Sequence, residues 1–411
     1  MRIGDVIASN FPNPEEVQYK ALWEVTVWDK KFNSVDTNKQ PKVAKYKYVL
    51  ASEFADLRVT GGDVKLLGTS SKDWGWTTAE VAGELVSQGE IVAIPWGGTP
   101  SVQYFSGSFV TADNRIAVVA DPNQLSAKFL YYVLLSKIDE IATFYRGSGI
   151  KHPLMSAVLD LVIPIPPLKW QLEIVRILDS FTELEAELEA ELEARRKQYE
   201  HYRDQLLTFA PDQGGVRWLT LSEVCTRISS GGTPLSTDES LYGGSIPWLR
   251  TQEVRESRIM ATEMWITERG LASSSARWIP PETVVVAMYG ATAGRVAITG
   301  IPLTTNQACC NLEVDPDVAM SQYVFHWLKR NYAELKALGR GSQSNMNARD
   351  VKSFHIPIVP LGEQRRISAI LDKFDALVDD VTIGLPAEIA ARRKQYEYYR
   401  NQLLSFEEIP A

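Results

Sequence analysis

Residues Ala194–Phe209 read ARRKQYEHYRDQLLTF, and residues Ala391–Phe406 read ARRKQYEYYRNQLLSF. Thirteen of these sixteen positions are identical, at an offset of 197 residues. Upstream, IPIPPL at Ile163–Leu168 matches IPIVPL at Ile356–Leu361, at an offset of 193. A period this long indicates a duplicated domain rather than a solenoid, whose repeats are far shorter. We therefore predict two copies of one unit, each a divergent globular part followed by a near-constant helical part.

The helical parts carry a heptad pattern. In the first copy eight of ten a and d positions are apolar, which is typical of a coiled coil. These positions are Leu178, Phe181, Glu185, Leu188, Leu192, Arg195, Tyr199, Tyr202, Leu206 and Phe209. One helix over Leu168–Phe209 would be about 60 Å long. The second copy has four extra residues and the run Gly384-Leu385-Pro386, which predicts a kink or break. The two helices can pair with each other, most simply antiparallel; helices that only dimerise the protein are the alternative.

The repeated sequence RRKQYExYR contains basic and aromatic residues that pairing of the two helices does not require. We expect it to present a face to a partner protein, although a merely solvated face would carry the same residues. The candidate docking residues are Arg195, Arg196, Tyr199, Tyr202, Arg392, Arg393, Tyr396 and Tyr399.

Composition narrows the possible functions. The chain has 411 residues and a net charge of −8, of which six charges come from the glutamates between Glu183 and Glu193. This length predicts two or more domains, and the acidic balance argues against indiscriminate binding to nucleic acid. Cys225, Cys309 and Cys310 form neither a disulfide framework nor a metal-type spacing, which fits a reducing cytoplasm. The first residues, MRIGDVIASNFPNPEE, have no apolar h-region, so we expect no signal peptide, and no apolar run reaches the roughly 18 residues that a membrane span needs.

Each globular part is predicted to be α+β. Strand-like runs occur at Glu90–Pro95 and Thr283–Met288, bounded by turn residues. Amphipathic helical stretches follow at Ser126–Ile141 and Met320–Leu338.

Several loops of the second globular part suit nucleic acid. Arginine pairs with guanine, asparagine and glutamine pair with adenine, and hydroxyl groups or glycine backbone amides approach phosphates. Such residues also form ordinary turns. The candidate DNA-binding residues are Ser230, Gly231, Thr233, Arg250, Gln252, Tyr289, Arg295, Asn306, Gln307, Arg340, Gln343 and Asn345.

Catalytic motifs are absent from the sequence. It has no methyltransferase tetrapeptide, no Walker A loop and no Rossmann glycine fingerprint. The four histidines show no metal-ligand spacing. Asp317 and Glu334 superficially resemble a nuclease pattern, but Glu334 and Lys336 would point apart on a helix. We therefore expect a non-catalytic chain with no metal and no cofactor of its own.

The combination of motifs resembles the specificity subunit of a type I restriction–modification system. The match is carried by IPIPPLKWQLEIVRILDSF, the ELEAELEAEL tetrads, the two sixteen-residue helical copies, SGGTP, IPWLRT, AMYGATAGR, TTNQACCNL, VTVWDKKFN, FVTADNRIA and FYRGSGIKHP. It spans essentially the whole chain.

This resemblance implies four regions in a pseudo-two-fold molecule. Residues 1–163 and 211–356 would be target recognition domains, each reading one half of a bipartite site in double-stranded DNA. Residues 164–210 and 357–411 would be the conserved helices that pair antiparallel and space these domains. In the first domain, the DNA-binding candidates are Lys72, Trp96, Asn114, Arg115, Arg146 and Lys151.

The resemblance also implies partners. Two adenine-N6 methyltransferase subunits would dock on the helices, and restriction subunits would join them in a prokaryotic cytoplasm. S-adenosylmethionine, ATP and Mg²⁺ would be bound by those subunits, which would extrude the base to be methylated. A stand-alone coiled-coil assembly or regulatory protein is the second hypothesis, and the nuclease is the third.

Overall fold

The structure is a computed structural model that describes residues 16–70, 72–210, 214–339, 345–378 and 384–406. Both globular parts contain sheets and helices, which confirms the α+β prediction. The chain divides into two compact units, and the division falls inside the helical parts. The first unit comprises Met1–Glu187 with Ile389–Ala411, and the second comprises Leu188–Glu388.

The first globular part consists of short helices and strands around one six-stranded sheet. Its elements are β1 (Gln18–Ala21), α1 (Leu22–Val25), β2 (Thr26–Trp28), α2 (Phe54–Leu57), β3 (Val64–Leu67), β4 (Trp76–Thr77), α3 (Ala79–Ala82), β5 (Ser87–Pro95), β6 (Gln103–Thr111), β7 (Asn114–Val119), α4 (Ala127–Ser136), α5 (Ile138–Thr143), β8 (Tyr145–Arg146), β9 (His152–Pro153), α6 (Met155–Leu159) and β10 (Val162–Ile165). Short 3₁₀ turns lie at Thr37–Lys39, Ala51–Glu53 and Gly83–Leu85.

The six strands are ordered β2-β7-β5-β6-β3-β4. Helix α4 begins where Ser126 Oγ accepts a hydrogen bond from the Phe129 amide, a typical N-cap. Its buried face, which includes Phe129, Leu130 and Val133, packs into the core that also contains Val92 and Ile94 of β5. The predicted helix Ser126–Ile141 is thus two consecutive helices, α4 and α5.

Helix α7 (Leu168–Leu206) follows β10 and contains 39 residues. It begins at the residue predicted from the sequence and ends three residues before the predicted Phe209. Pro166 and Pro167 precede it, where a missing backbone N–H costs no helical hydrogen bond.

The second globular part has a similar order of elements, but its main strands form a five-stranded and a three-stranded sheet instead of one six-stranded sheet. Its elements are β11 (Arg217–Thr220), α8 (Leu221–Val224), β12 (Cys225–Ser230), β13 (Tyr242–Leu249), β14 (Arg258–Ile259), β15 (Trp265–Ile266), α9 (Glu268–Ala272), β16 (Val284–Ala287), β17 (Val296–Thr299), β18 (Thr304–Thr305), β19 (Cys309–Val314), α10 (Ser321–Arg330), α11 (Tyr332–Ala337), α12 (Ala348–Lys352) and β20 (His355–Ile358). Short 3₁₀ turns lie at Glu239–Leu241 and Thr251–Glu253. The sheets are ordered β12-β19-β16-β17-β14 and β15-β13-β18.

The second helical part is interrupted, as the sequence predicts. Helix α13 is described over Leu361–Val378, Gly384 lies in a bend, and helix α14 (Leu385–Leu404) begins directly after it. No helix in the described part of the chain is both long and apolar enough to cross a membrane.

In each unit an antiparallel strand pair joins the beginning of the globular part to its end. In the first, β1 pairs antiparallel with β10, so that Gln18 lies opposite Ile165. In the second, β11 pairs antiparallel with β20, so that Arg217 lies opposite Ile358. In each case the strand that opens the globular part is held against the strand that leads into the long helix, which confirms that the units are copies of one design.

Helix pairing takes place within each unit. In the first unit, the Phe181 ring lies 5.6 Å from Tyr399 and 6.3 Å from Tyr396. Four residues further along α7, Glu185 forms an ion pair of 2.5 Å with Arg393. The contacting residue numbers rise along α7, from 181 to 185, while they fall along α14, from 399 to 393. These segments therefore run antiparallel, as predicted.

The second unit contains the equivalent aromatic contact. Phe374 of α13 stacks on Tyr199 at 5.8 Å and on Tyr202 at 5.6 Å. The tyrosines proposed above as partner-docking residues therefore pack the helix seam. Tyr199 is buried, which corrects its assignment to a docking face, whereas Tyr396 and Tyr399 are half-buried and Tyr202 is exposed, so their docking role stays a prediction.

Candidate nucleic-acid interface

Five loops of the second unit meet and form what we name the second loop cluster, residues 230–234, 249–253, 288–295, 305–308 and 345–347. Backbone hydrogen bonds join them in pairs. The Gly232 amide donates to Thr305 O, and the Asn306 amide donates to Leu249 O, both at 2.9 Å. The Met288 carbonyl accepts from Met346 at 2.9 Å. The structure therefore brings together loops that are up to about 115 residues apart in the sequence.

Close backbone contact requires glycine at the start of this cluster. A Cβ atom on Gly231 would lie 2.0 Å from Thr305 O, and one on Gly232 would lie 2.2 Å from the Ala276 amide nitrogen. The Gly232 carbonyl also accepts a hydrogen bond of 3.0 Å from the Trp248 indole. Gly231 is thus a packing residue whose absence of a side chain lets two loops approach each other.

The predicted arginines of the second loop cluster are held by carboxylates. Arg250 forms ion pairs with Glu263 at 2.8 Å and Glu253 at 3.5 Å. Arg295 lies 3.8 Å from Glu256. Their positive charges are therefore partly neutralised within the domain.

The uncharged candidates are more accessible. Thr233 hydrogen-bonds Gln307, and Asn306 is half-buried. The exposed candidates are Ser230, Thr233, Gln252, Tyr289, Gln307 and Asn345. Arg340 and Gln343 lie outside the described residues. This surface consequently offers mainly hydroxyl and amide groups, the types that pair with base edges.

A second set of loops meets in the first unit and forms the first loop cluster, residues 29–31, 68–70, 72–75, 95–98, 113–115 and 146–153. The Trp96 amide donates to Asp113 O at 3.1 Å, and the Gly98 amide donates to Lys151 O at 3.0 Å. The Gly68 carbonyl accepts from Asn114 Nδ2 at 3.1 Å. These bonds connect loops from both halves of the domain.

Trp96 lies at the centre of the first loop cluster. The Arg115 guanidinium lies 4.5 Å from the Trp96 ring centroid, and Lys30 Nζ lies 5.7 Å from it. The His152 ring lies 5.2 Å away, and its Nδ1 donates to the Trp96 carbonyl oxygen at 2.8 Å. Trp96 itself is half-buried, so that part of its ring remains on the surface.

Arg115 is a buried residue. Its side chain is 1 % exposed and forms ion pairs with Asp113 and, at 3.0 Å, with Asp29. Burial raises the pKa of Asp29 above its usual value, although the Arg115 charge and the Ile116 amide oppose that shift. The guanidinium is therefore engaged inside the domain, which corrects its assignment as a direct DNA contact.

Asn114 is corrected for the same reason. It is buried, and its Nδ2 donates to the carbonyl groups of Leu67 and Gly68 and to the Thr111 hydroxyl. Lys72, Arg146 and Lys151 are exposed, as a DNA-contacting role would require.

Sequence reasoning missed two residues of this cluster. Lys30 and Lys31 follow β2 after one intervening residue, Asp29, and both are exposed. The signal was present, since two adjacent lysines come one residue after the strand-like run VTVW. The first loop cluster therefore carries more positive charge than predicted, while the second is richer in amides.

Within the described ranges, no group of three or more His, Cys, Asp or Glu side chains is arranged to hold a metal ion.

Comparison with known protein families gives one match over both units. The model named "Type I restriction modification DNA specificity domain" matches residues 14–194 and again residues 215–391. The two matched segments are the two copies inferred from the repeat, and together they cover most of the chain.

Two relatives from bacteria illustrate the similarity. The chain is 31 % identical over 409 residues to the type I restriction enzyme EcoR124I/EcoR124II specificity subunit of Escherichia coli, covering 95 % of each chain. It is 31 % identical over 341 residues to a putative type I restriction enzyme specificity subunit of Haemophilus influenzae, covering 78 % of this chain and 83 % of that one.

Solved structures share the fold. The S subunit of a type I restriction–modification system from M. genitalium superposes with a TM-score of 0.65 at 17 % identity, covering 97 % of each chain. A chain from a structure of type I R-M complex assembly and conformational transition gives a TM-score of 0.54 at 16 % identity, with 97 % of this chain and all of that chain covered.

Proposed function

Because the chain belongs to the family of type I restriction–modification DNA specificity subunits, we propose that its two loop clusters read the two halves of a bipartite DNA site. The first loop cluster would contact one half-site through Lys30, Lys72 and Lys151 together with the exposed part of Trp96. The second would contact the other half-site through amide and hydroxyl groups such as Gln252 and Asn345.

The difference between the clusters supports two distinct readings. Lysines hold phosphates and position a protein on the duplex, whereas glutamine and asparagine can pair with adenine. The two clusters share little chemistry, although their units are built alike. Divergent loops on equivalent frameworks are what two different half-sites require.

One observation carries the proposal that two identical partners bind. Arg196, Lys197 and Glu200 are exposed on α7, and the same residue types, Arg393, Lys394 and Glu397, are exposed on α14. The tyrosines pack the seam and Arg393 pairs with Glu185 across it, but helix pairing does not explain why the exposed Lys197 and Glu200 recur as Lys394 and Glu397. Two equal charged surfaces fit two copies of one protein.

We assign that partner as a methyltransferase subunit and place catalysis there. S-adenosylmethionine, ATP and Mg²⁺ would then be bound by methyltransferase and restriction subunits. This chain would select the site and position the enzyme, so that the purified chain alone transfers no methyl group.

Reconstitution with methyltransferase subunits of a type I restriction–modification system tests the proposal. Adenine-N6 methylation is expected only when both proteins are present, and only at duplexes that carry both half-sites. Methylation by the chain alone, or equal methylation of duplexes with one half-site scrambled, would refute it. A complex that forms without any sequence preference would favour the stand-alone assembly protein.

Variants separate positioning from reading. Lys151→Ala should weaken DNA binding equally for all sequences and reduce the salt slope of log K by about 1. Gln252→Ala should instead reduce discrimination at one half-site by about 1–3 kcal/mol. Lys169→Ala, an exposed lysine of α7 outside both clusters, is the matched control and should change neither quantity.

A further inference from the structure

A buried glutamine occupies the first turn of the long helix in each unit. Gln171 lies in α7 and Gln364 in α13, at the repeat offset of 193, and both are 0 % exposed. A buried amide must satisfy its donors and acceptor inside the protein. Both glutamines do so with backbone groups of the preceding globular part.

The hydrogen bonds of Gln171 join three segments of the first unit. Its Nε2 donates to Gln124 O and to Pro166 O, each at 2.7 Å. Its Oε1 accepts from the Ser126 amide at 2.8 Å. Ser126 is the N-cap residue of α4, so one side chain holds the start of α7, the start of α4 and the strand exit together.

Gln364 repeats this arrangement in the second unit. Its Nε2 donates to Val359 O at 2.8 Å and to Val318 O at 3.2 Å, and its Oε1 accepts from the Met320 amide at 2.9 Å. Met320 precedes α10, as Ser126 precedes α4. The two globular parts have diverged in sequence, yet in both the buried glutamine bonds backbone groups at equivalent positions.

A second connection lies eight residues further along each helix. Asp179 accepts hydrogen bonds from Tyr132 at 2.6 Å and from Lys128 at 2.7 Å, both on α4. Asp372 lies 2.7 Å from His326 of α10. Two separated attachments per helix leave a globular part little freedom to rotate about it.

We infer that Gln171 and Gln364 are positioning residues that fix the direction in which each loop cluster is held on its helix. By doing so they determine which spacing between half-sites the chain accepts. This inference rests on the proposed function. The glutamines are buried in the joint between globular part and helix, so they act on spacing through the backbone and not on the bases.

The experiment uses the reconstituted methyltransferase complex and a set of duplexes whose half-sites are kept while the spacer changes by one or two base pairs. The variants are Gln171→Leu and Gln364→Leu, which remove all three bonds at similar volume. Loss of this bonding should reduce the preference for the optimal spacer by at least about fivefold, while the preference for each half-site sequence is unchanged. The controls are Leu172→Ala and Arg365→Ala, which alter the neighbouring exposed side chains.

A second pair of variants covers the case in which the leucine proteins do not fold. In Gln171→Glu and Gln364→Glu, burial beside two carbonyl groups favours the protonated carboxyl group, which keeps the side-chain size, the acceptor for the Ser126 or Met320 amide and one of the two donated bonds. They should show a smaller broadening of spacer preference. Hydrogen exchange of the Ser126 amide should accelerate by about fivefold or more in Gln171→Leu and stay near the native rate in Gln171→Glu.

The results separate this inference from the proposed function. If the native complex shows no bipartite preference, the proposed function itself is wrong. If the native complex prefers one spacer and the folded glutamine variants keep that preference unchanged, the positioning role is wrong. Loss of half-site preference together with spacer preference would also contradict it, because the loop clusters would then have been altered.

Discussion

Replacing Arg115 by methionine should destabilise the first unit in a pH-dependent way. The substitution keeps an unbranched apolar stem against Trp96 but removes the guanidinium that pairs with Asp29. The Asp29 side chain is 12 % exposed, so its charge would remain largely buried with only the weaker effect of the Lys30 charge to offset it. Breaking a buried ion pair from one side costs about 3–5 kcal/mol. The pair with Asp113, which is 37 % exposed, adds little to this value.

The pH dependence follows from the pKa of Asp29. Burial raises this pKa in the native protein despite the Arg115 charge, and removing that charge raises it further. An acid whose pKa is raised on folding favours the folded state most at low pH, and that contribution is lost as the pH rises through the folded-state pKa. The deficit of Arg115→Met relative to the native chain should therefore be largest at neutral pH and narrow as the pH falls through the raised pKa of Asp29 in the variant.

Urea unfolding at several pH values measures this difference in the free energy of unfolding. Hydrogen exchange of the β7 amides reports the same loss within the first unit. Asp29→Asn in the Arg115→Met background should recover most of the loss at pH 7, because the amide oxygen can still accept from the Ile116 amide. Arg146→Met, which changes an exposed arginine of the same cluster, is the control and should cost less than about 0.5 kcal/mol. A deficit below about 1 kcal/mol, or one independent of pH, would refute the reasoning.

Three further predictions concern the seam, the second loop cluster and the thiols. Phe181→Ala should lower the free energy of unfolding of the first unit by about 3–4 kcal/mol in urea, because the ring is buried between two tyrosines. Tyr398→Ala, at an exposed position of α14, is the control and should cost under about 1 kcal/mol. Equal losses would contradict the packing of Phe181 between the helices. Gly231→Ala should lower the free energy of unfolding by about 3 kcal/mol and weaken DNA binding, because its Cβ would overlap Thr305. Gly243→Ala, which has open space around the Cβ but a positive φ, is the control and should cost about 1 kcal/mol. An unchanged stability of Gly231→Ala would disprove the close contact. Burial raises the pKa of Cys225 to about 12, so this thiol should resist alkylation at pH 8 until the chain is unfolded, and rapid labelling of the native protein would show that it is accessible.

The repeat made the architecture predictable from the sequence. The offset of 193 placed the two copies of the strand exit and helix start in register, and the structure has β10 and β20 at those positions. The interruption between α13 and α14 was also predictable, because Gly384 and Pro386 are poor helix residues. These features depend on local backbone preferences, which a sequence expresses directly.

Side-chain roles within the site were harder to predict. Arg115 and Asn114 have the chemistry of DNA-binding residues, but a buried carboxylate and two backbone carbonyls occupy them. Tyr199 was counted as both a heptad residue and a docking residue, and only its stacking on Phe374 decides between the two. In each case the deciding partner is more than 40 residues away in sequence, so local patterns carry no information about it.

The buried glutamines show the opposite limit. Gln171 lies inside the motif IPIPPLKWQLEIVRILDSF and Gln364 lies 193 residues later at the matching position, yet nothing in the residue type distinguishes a buried amide from a solvated one on a helix. Their three backbone partners become visible only when the globular part is folded against the helix. Repetition of an uncharged polar residue at the repeat offset was the available signal.

Exchange of one globular part tests the central claim most directly. Residues 216–355 would be replaced by the corresponding segment of another family member, and the methylated sites of the reconstituted complex would be mapped by single-molecule sequencing. If each loop cluster reads one half-site, one half of the recognised sequence changes, while the other half and the spacer are retained. A hybrid that folds and methylates but changes both halves, or neither, would contradict the assignment of one half-site to each unit.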